Sequence, residues 1–332
     1  MERTREKEPK PPREHAVSNL TSRVLVAITA VPLILLLTLA GGFYFFGFVA
    51  GVSLLALHEF YLLTRVRGAD PNEPVGLLLG VCINAAFFHN KLAGMLQSGA
   101  DAFAVPLSLP SMTQAFMIVV LLGVPLVLLC ELFRNRGSAI VNIGATLTGV
   151  FAIPAFLGSL IGLRELFIPG EFPVYRFFPS PEPVVTEVVK DQLYRWGGLM
   201  VIAMFASVWL CDSAAYFAGR SIGKHRLFPR VSPHKTWEGA VAGFLAAITT
   251  FVAAKMFFDL RFLTLVDAIV CGTIVGTLGQ LGDLVESLWK RDAGVKDSSG
   301  LIPGHGGVLD RFDSIIFLSP ILFWYVDFVV CS

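Results

Sequence analysis

Apolar runs of roughly 20 residues recur along most of this chain, each close to the length that a helix needs to cross the hydrocarbon core of a bilayer. Backbone N–H and C=O groups in lipid must be satisfied within the segment or by a closed barrel, so long unbroken runs without strand alternation restrict the fold to packed helices. About nine candidate spans can be marked: Val24–Ala40 with Pro32 as a kink point, Gly42–Leu63, the shorter Val75–Phe88, Ala115–Phe133, Ile140–Leu163, Leu199–Ala218, Trp237–Phe258, Phe262–Leu284 and Ser314–Val330. Of the 332 residues, 55% are apolar and only 15% charged, against about 25% charged in soluble domains. The expected fold class is an all-α polytopic integral membrane protein.

The few charges are unevenly placed. Residues 1–22 mix both signs with three prolines and read as a solvated tail. No signal peptide is expected, because the first apolar run outlasts a signal core and no small-residue cleavage site closes it. With the N-terminus in the cytoplasm, Arg65, Arg67, Arg134 and Arg136 fall on the cytoplasmic side. So does the loop after Ala218, with Arg220, Lys224, Arg226, Arg230 and Lys235 and no acid before Glu238. The long connection on the opposite side, 164–197, carries Glu165, Glu171, Glu182, Glu187 and Asp191. This asymmetry follows the positive-inside rule. It divides the chain into a membrane region 23–197 with few buried charges and a membrane region 198–332 that carries nearly all of the reactive ones. The five cysteines lie in or beside apolar runs without metal-type spacing and read as small hydrophobic residues.

The densest polar stretch is 283–313, with ten charged side chains and a His-Gly-Gly turn between two apolar runs. Charge next to lipid is costly and marks a functional site. Asp283, Glu286, Ser287, Lys290 and Arg291 share one face of a helix, acid first and base last. Lys296-Asp297 and Ser298-Ser299-Gly300 then lead into Pro303-Gly304-His305-Gly306-Gly307, too rich in Gly and Pro to remain helical. Such a loop brings its backbone N–H groups close to an anion. Asp310 and Asp313 sit three apart at the head of the last span. With Asp283 across the loop they can form an oxygen-ligand site of the kind Mg²⁺ prefers. Interfacial salt bridges are the structural alternative, but these would not require the Gly-rich turn.

Two further groups carry chemistry. Asp212 lies inside the sixth apolar run, on one helical stripe with Tyr216, Gly219 and Gly223. An intramembrane Asp is a functional candidate, while the glycines suit helix packing. In Ser232-Pro233-His234-Lys235-Thr236-Trp237-Glu238-Gly239, Ser232-Pro233 reads as a helix start where an anion can sit, with Lys235 and Thr236 adding charge and a hydroxyl. A plain capping turn is the alternative. His58-Glu59, at the end of the second run, suits either a substrate contact or an interfacial position.

The pattern Ser287-x-x-Lys290-Arg291-x4-Lys296-Asp297-x-Ser299-x2-Ile302-Pro303-x-His305-Gly306-Gly307-x-x-Asp310-Arg311-x-Asp313 resembles the signature of phosphatidate cytidylyltransferases, also called CDP-diacylglycerol synthases. The stretches Asp212-x3-Tyr216-x2-Gly219 and Ser232-Pro233-x-Lys235-Thr236-x-Glu238-Gly239 resemble elements of the same family. The likeness is dense over about 205–320 and vague before it. It implies a Mg²⁺-dependent, in-line transfer from CTP to phosphatidate that yields CDP-diacylglycerol and pyrophosphate, with room for a second cation. By resemblance, Asp283 and Asp310 are metal ligands, with Asp313 as a third and Asp212 in support. Lys290, Arg291, Lys296 and Arg311 grip phosphates beside Asp297, and His305, Gly306 and Gly307 shape the nucleotide pocket. Tyr216, Ser232, Lys235, Thr236, Glu238 and Ser287 contact substrate.

The expected partners are CTP, phosphatidate and the bilayer, with no nucleic acid; the small-residue stripes suit a homodimer. The expected setting is the bacterial cytoplasmic (inner) membrane, with the N-terminus and the active site facing the cytoplasm. A CTP-dependent lipid kinase, an ether-lipid cytidylyltransferase and an ion-coupled transporter using Asp212 and Asp283 are the alternatives that the residues leave open.

Overall fold

The structure, a computed structural model, describes residues 14–102, 110–167, 172, 186–302 and 306–332. The first part of the tail (1–13), half of the 164–197 connection and His305 lie outside these residues.

The described chain is almost entirely helical, as expected for an all-α membrane protein. Helices α1 (Glu14–Ala40), α2 (Gly42–Val66), α3 (Glu73–Phe87), α4 (His89–Ala102), α5 (Met112–Leu132), α6 (Ala139–Ala152) and α7 (Pro154–Glu165) form the first part. Helix α8 (Glu187–Ile222), strands β1 (Arg226–Phe228) and β2 (Ser232–Thr236), and helices α9 (Trp237–Phe257), α10 (Leu265–Asp292) and α11 (Leu309–Tyr325) form the second. The last residues, Val326–Val330, widen into a π-helical turn.

Among the described residues, seven helical segments are long and apolar enough to span a membrane: α2, α5, the continuous α6–α7, α8, α9, α10 and α11 with its π turn. The pair α3 and α4, bent by 76° at the break between them, brings the number to eight if it counts as one span. This is fewer than the nine read from the sequence. The apolar part of α1 is only Val26–Ala40, a rise of about 22 Å against a core of about 30 Å.

Helix boundaries also differ from the apolar runs. Helix α8 begins at Glu187, not near Leu199. The Thr186 side chain caps its first turn, accepting from Val189 N, and Lys190 pairs with Glu187 at 2.7 Å. Those polar interactions extend the helix beyond its greasy part. Helix α1 begins at Glu14, within the stretch expected as tail.

The most extensive helix contacts run from α8 to α9, α9 to α10 and α10 to α11. Small residues make them possible. A Cβ on Gly239 of α9 would come within 2.6 Å of the Ala215 carbonyl oxygen of α8, and one on Gly282 of α10 within 2.6 Å of the Asp313 carbonyl oxygen of α11. Close backbone approach is how helices pack when lipid offers no hydrophobic drive between them. Helix α7 packs on α2 and α3 on one side and on α8 and α11 on the other, joining the two parts around one main apolar core. A smaller core (Leu79, Ile83, Val127, Val150, Ala155) lies among α3, α5, α6 and α7.

Candidate active site

The carboxyl ends of α2, α8 and α10 meet the amino ends of α9 and α11, and the polar residues of the second part collect there. Ser232–Thr236 corrects the reading of Ser232-Pro233 as a helix start. The segment is the second strand of a short antiparallel hairpin, with Arg226 opposite Thr236 and Phe228 opposite Ser232. Proline disfavours helical geometry at the residue before it, and the hairpin supplies an extended partner. The helix starts at Trp237, where the Thr236 hydroxyl accepts from Gly239 N at 3.2 Å and acts as the cap. Glu238, in the first turn of α9, turns back to the hairpin and accepts from His225 N at 3.3 Å and pairs with His225 Nδ1 at 2.7 Å.

Between α8, the hairpin, α9 and α10 lies a cleft of about 610 Å³, within the range of small-molecule sites. Asp212 and Asp283 supply its acidic side; Arg220, Arg226, His234 and Lys235 supply the basic one. Tyr216, Gly219, Gly223 and Thr236 also line it, so the Asp212 stripe and the hairpin face the same space. The Tyr216 hydroxyl accepts from Arg220 Nη1 at 2.8 Å.

The cleft touches an acidic cluster at Asp283. Asp283 and Glu286 are one turn apart on α10, and the close crossing at Gly282 brings Asp313 of α11 beside them. One carboxylate oxygen from each of the three lies within 4.8 Å of the others. Lys235 reaches from the hairpin to Asp283 Oδ2 at 2.5 Å, and the Ser287 hydroxyl donates to Asp283 Oδ1 at 3.3 Å. Lys290 bridges Glu286 Oε2 at 2.7 Å and Asp310 Oδ1 at 2.6 Å. Glu286 is 1% exposed, and its carboxyl group lies against both Lys290 and the Asp310 side chain. Four carboxylates (Asp283, Glu286, Asp310, Asp313) thus face two ammonium groups in a partly buried place, where like charges repel strongly. Such an oxygen-rich group suits a hard divalent cation.

The sequence-predicted residues separate into distinct places. Asp283, Lys290, Asp310, Asp313 and Ser287 stand in or beside the acidic cluster, while Asp212, Tyr216, Lys235 and Thr236 line the cleft. Asp310 is engaged elsewhere than in the trio: besides Lys290, its Oδ2 accepts from Ser298 N at 2.9 Å and from Gly307 N at 2.7 Å. Arg291 faces the carbonyls of Val231 and Val295, both at 3.4 Å. Lys296, Asp297 and Arg311 are exposed around the loop. Gly306 has φ +83°, a left-handed conformation that favours glycine, and its carbonyl accepts from Ile302 N at 2.9 Å, closing the loop on itself.

Two acids at the site are given no role by the sequence. Glu286 was legible on the shared helix face, and its place in the trio follows from the crossing at Gly282. Glu59 gave only a weak signal at the end of an apolar run, yet it is buried against Ser298, Val308 and Leu309.

The pattern described as the cytidylyltransferase family matches residues 21–329. The chain is 31% identical over 311 residues to a protein of Synechocystis sp. named phosphatidate cytidylyltransferase, covering 92% of this chain and 96% of that relative. Proteins of the same name from Haemophilus influenzae and Staphylococcus epidermidis are 46% and 47% identical over 165 and 122 residues. Those matches cover 46% and 37% of this chain, and 56% and 46% of the relatives. A match that runs from the first helix to the last, together with a relative matched over nearly its whole length, gives one conclusion: the chain belongs to the cytidylyltransferase family.

Proposed function

We propose that the chain is a phosphatidate cytidylyltransferase of the bacterial cytoplasmic membrane, with the cleft on the cytoplasmic side. The observation that carries this reading is the junction at Asp283: an acidic trio fit for a divalent cation opens directly into a cleft with a basic wall. The family match and the relatives' shared name support the same reading.

In the reaction, a phosphate oxygen of phosphatidate attacks the α-phosphorus of CTP. The bond from that phosphorus to the bridging oxygen of the β-phosphate breaks, and pyrophosphate leaves with the electron pair. No bond to the protein forms. Both reactants are anions, so the site must neutralise charge and hold them in line. Arg220, Arg226 and His234 along the hairpin side bind the triphosphate, and Lys235 exchanges its contact with Asp283 for a phosphate oxygen. Asp283, Glu286 and Asp313 would hold the cation, in preference to a site centred on Asp310, because Asp310 is already engaged by Lys290 and two backbone N–H groups. When bound, Mg²⁺ supplies charge neutralisation at the reacting phosphates. Asp310 keeps Lys290 and the loop in place. The flank of α8 bearing Leu210 and Phe217 is exposed, which lets the acyl chains stay in lipid while the headgroup enters sideways.

The test uses CTP labelled at the α-phosphate, phosphatidate vesicles and the purified full-length protein. Mg²⁺-dependent transfer of label into lipid, with release of pyrophosphate, is expected. A lipid kinase would leave the label in free CDP. Lack of any labelled lipid from folded wild type, or full activity in Asp283→Asn, would overturn the proposal.

A further inference from the structure

Glu59 sits in α2, far from the signature residues in sequence, and is 2% exposed. Its carboxylate accepts four hydrogen bonds from the catalytic loop and the helix that follows. Oε1 accepts from the Ser299 hydroxyl at 2.6 Å and from Val308 N at 2.9 Å. Oε2 accepts from Leu309 N at 2.8 Å and from the Ser298 hydroxyl at 2.9 Å. Four donors match the lone-pair sites of a carboxylate. Val308 N and Leu309 N belong to the first turn of α11, where helical N–H groups lack intrahelical partners. The residue at the cap position, Val308, has no polar side chain and makes no side-chain cap. The helix that carries Asp310, Arg311 and Asp313 therefore receives its cap, and a negative charge at its positive dipole end, from a different part of the chain.

The surrounding residues fit the same role. A Cβ on Gly307 would strike both the Ser298 hydroxyl and Glu59 Oε2, so only glycine lets the loop close over the carboxylate. Ser298 also faces Asp310 Oδ2, at 2.9 Å from its N and 3.0 Å from its hydroxyl. A continuous polar chain thus runs Glu59–Ser298–Asp310–Lys290–Glu286 and ends in the acidic trio. We propose that Glu59 is a positioning residue: it does not touch substrate, but fixes the 298–309 loop and the start of α11 so that Asp310 and Asp313 keep their register with α10. The inference rests on the cytidylyltransferase reading for its catalytic consequence, and on geometry alone for the staple itself.

The test compares full-length wild type with Glu59→Gln and Ser299→Ala in detergent, by steady-state kinetics and by hydrogen exchange read by mass spectrometry. Glu59→Gln turns an amide NH₂ toward one of the two donor pairs. The resulting small displacement is expected to lower kcat by about 10- to 100-fold, with KM for CTP changed by less than about threefold. Ser299→Ala removes a single donor and leaves the other three, so the fold is expected to survive; kcat should fall by about 2- to 10-fold, the equivalent of one hydrogen bond. In both variants faster exchange should be confined to peptides covering 298–312, with α9 unchanged. Unaltered kcat and unaltered exchange in that loop, or faster exchange spread over all helices, would overturn the proposal. If folded wild type makes no CDP-lipid, the cytidylyltransferase reading falls, and loop exchange alone decides the staple.

Discussion

Buried charge occurs at both ends of α2, and the two sites use it differently. At the amino end, Arg164 is 1% and Glu165 5% exposed. Arg164 Nε and Nη2 donate to the carbonyls of Thr38 and Leu39 at 2.8 and 3.2 Å, and the Tyr194 hydroxyl donates to Ala40 O at 2.5 Å. Glu165 Oε1 accepts from Gly42 N at 2.9 Å, its Oε2 lies 4.0 Å from Lys91 Nζ, and the Arg164 guanidinium stacks 4.2 Å over the Tyr194 ring. Here the charges go to backbone groups freed at the corner between α1 and α2, which lipid could not satisfy. Beyond the other end, where Glu59 ties α2 to the start of α11, the carboxyl groups of α10 and α11 outnumber the Lys235 and Lys290 side chains beside them. A saturated charge cluster holds the chain together, whereas an unsaturated one waits for a ligand. Partner accounting separates the two where burial does not.

The largest effect should come from the unsaturated end. Asp313→Asn is expected to lower transfer to phosphatidate by about 10²- to 10³-fold, the scale on which one electrostatic contact at a reacting centre acts. Its unfolding midpoint without divalent cation should equal or exceed that of wild type, because a buried acidic group crowded by Asp283 is replaced by a neutral amide. Arg164→Met should do the reverse. Leaving the buried Thr38 and Leu39 carbonyls without their donor costs about 1–3 kcal/mol for each unsatisfied group, read as a lower midpoint in denaturant, while kcat of the surviving folded fraction stays near that of wild type. If Asp313→Asn unfolds the protein, or Arg164→Met remains stable yet inactive, the division between the two ends fails.

A smaller effect belongs to the cleft wall. Gly239→Ala would push α8 and α9 apart where a Cβ meets the Ala215 carbonyl. Overpacking of this kind costs about 1–3 kcal/mol, and the shifted wall should raise KM for CTP more than it lowers kcat in a titration of nucleotide.

What was legible follows from how local each signal is. The spans of α2, α5, α9 and α10 come from runs of apolar residues, and the site helix comes from Asp283, Glu286, Ser287 and Lys290 recurring on one face. Signals that depend on a distant partner were not legible. Pro233 looks like a helix start until β1 pairs with it, and the cap then falls on Thr236. Glu59 has its donors more than 200 positions away, from Ser298 to Leu309, so nothing near it in sequence marks it. In sequence, Glu286 is one member of a charged helix face and Asp310 the marked cation ligand. Gly282 decides between them by bringing Asp313 to the first, while Gly307 and Ser298 occupy the second.

The smallest effect is expected where the two parts of the chain touch in water. Arg67 Nη2 reaches Asp292 Oδ1 at 3.0 Å, with side chains 59% and 65% exposed. The pair joins the end of α2 to the end of α10, just before the polar loop, so it competes with the link proposed for Glu59. Exposed pairs of this kind contribute about 0–1 kcal/mol and are screened by salt. Arg67→Ala should therefore shift the unfolding free energy by less than about 1 kcal/mol and leave kcat unchanged at high and low ionic strength. A loss of kcat at Arg67 as large as at Glu59 would mean that surface charge, not the buried carboxylate, holds α10 and α11 in line.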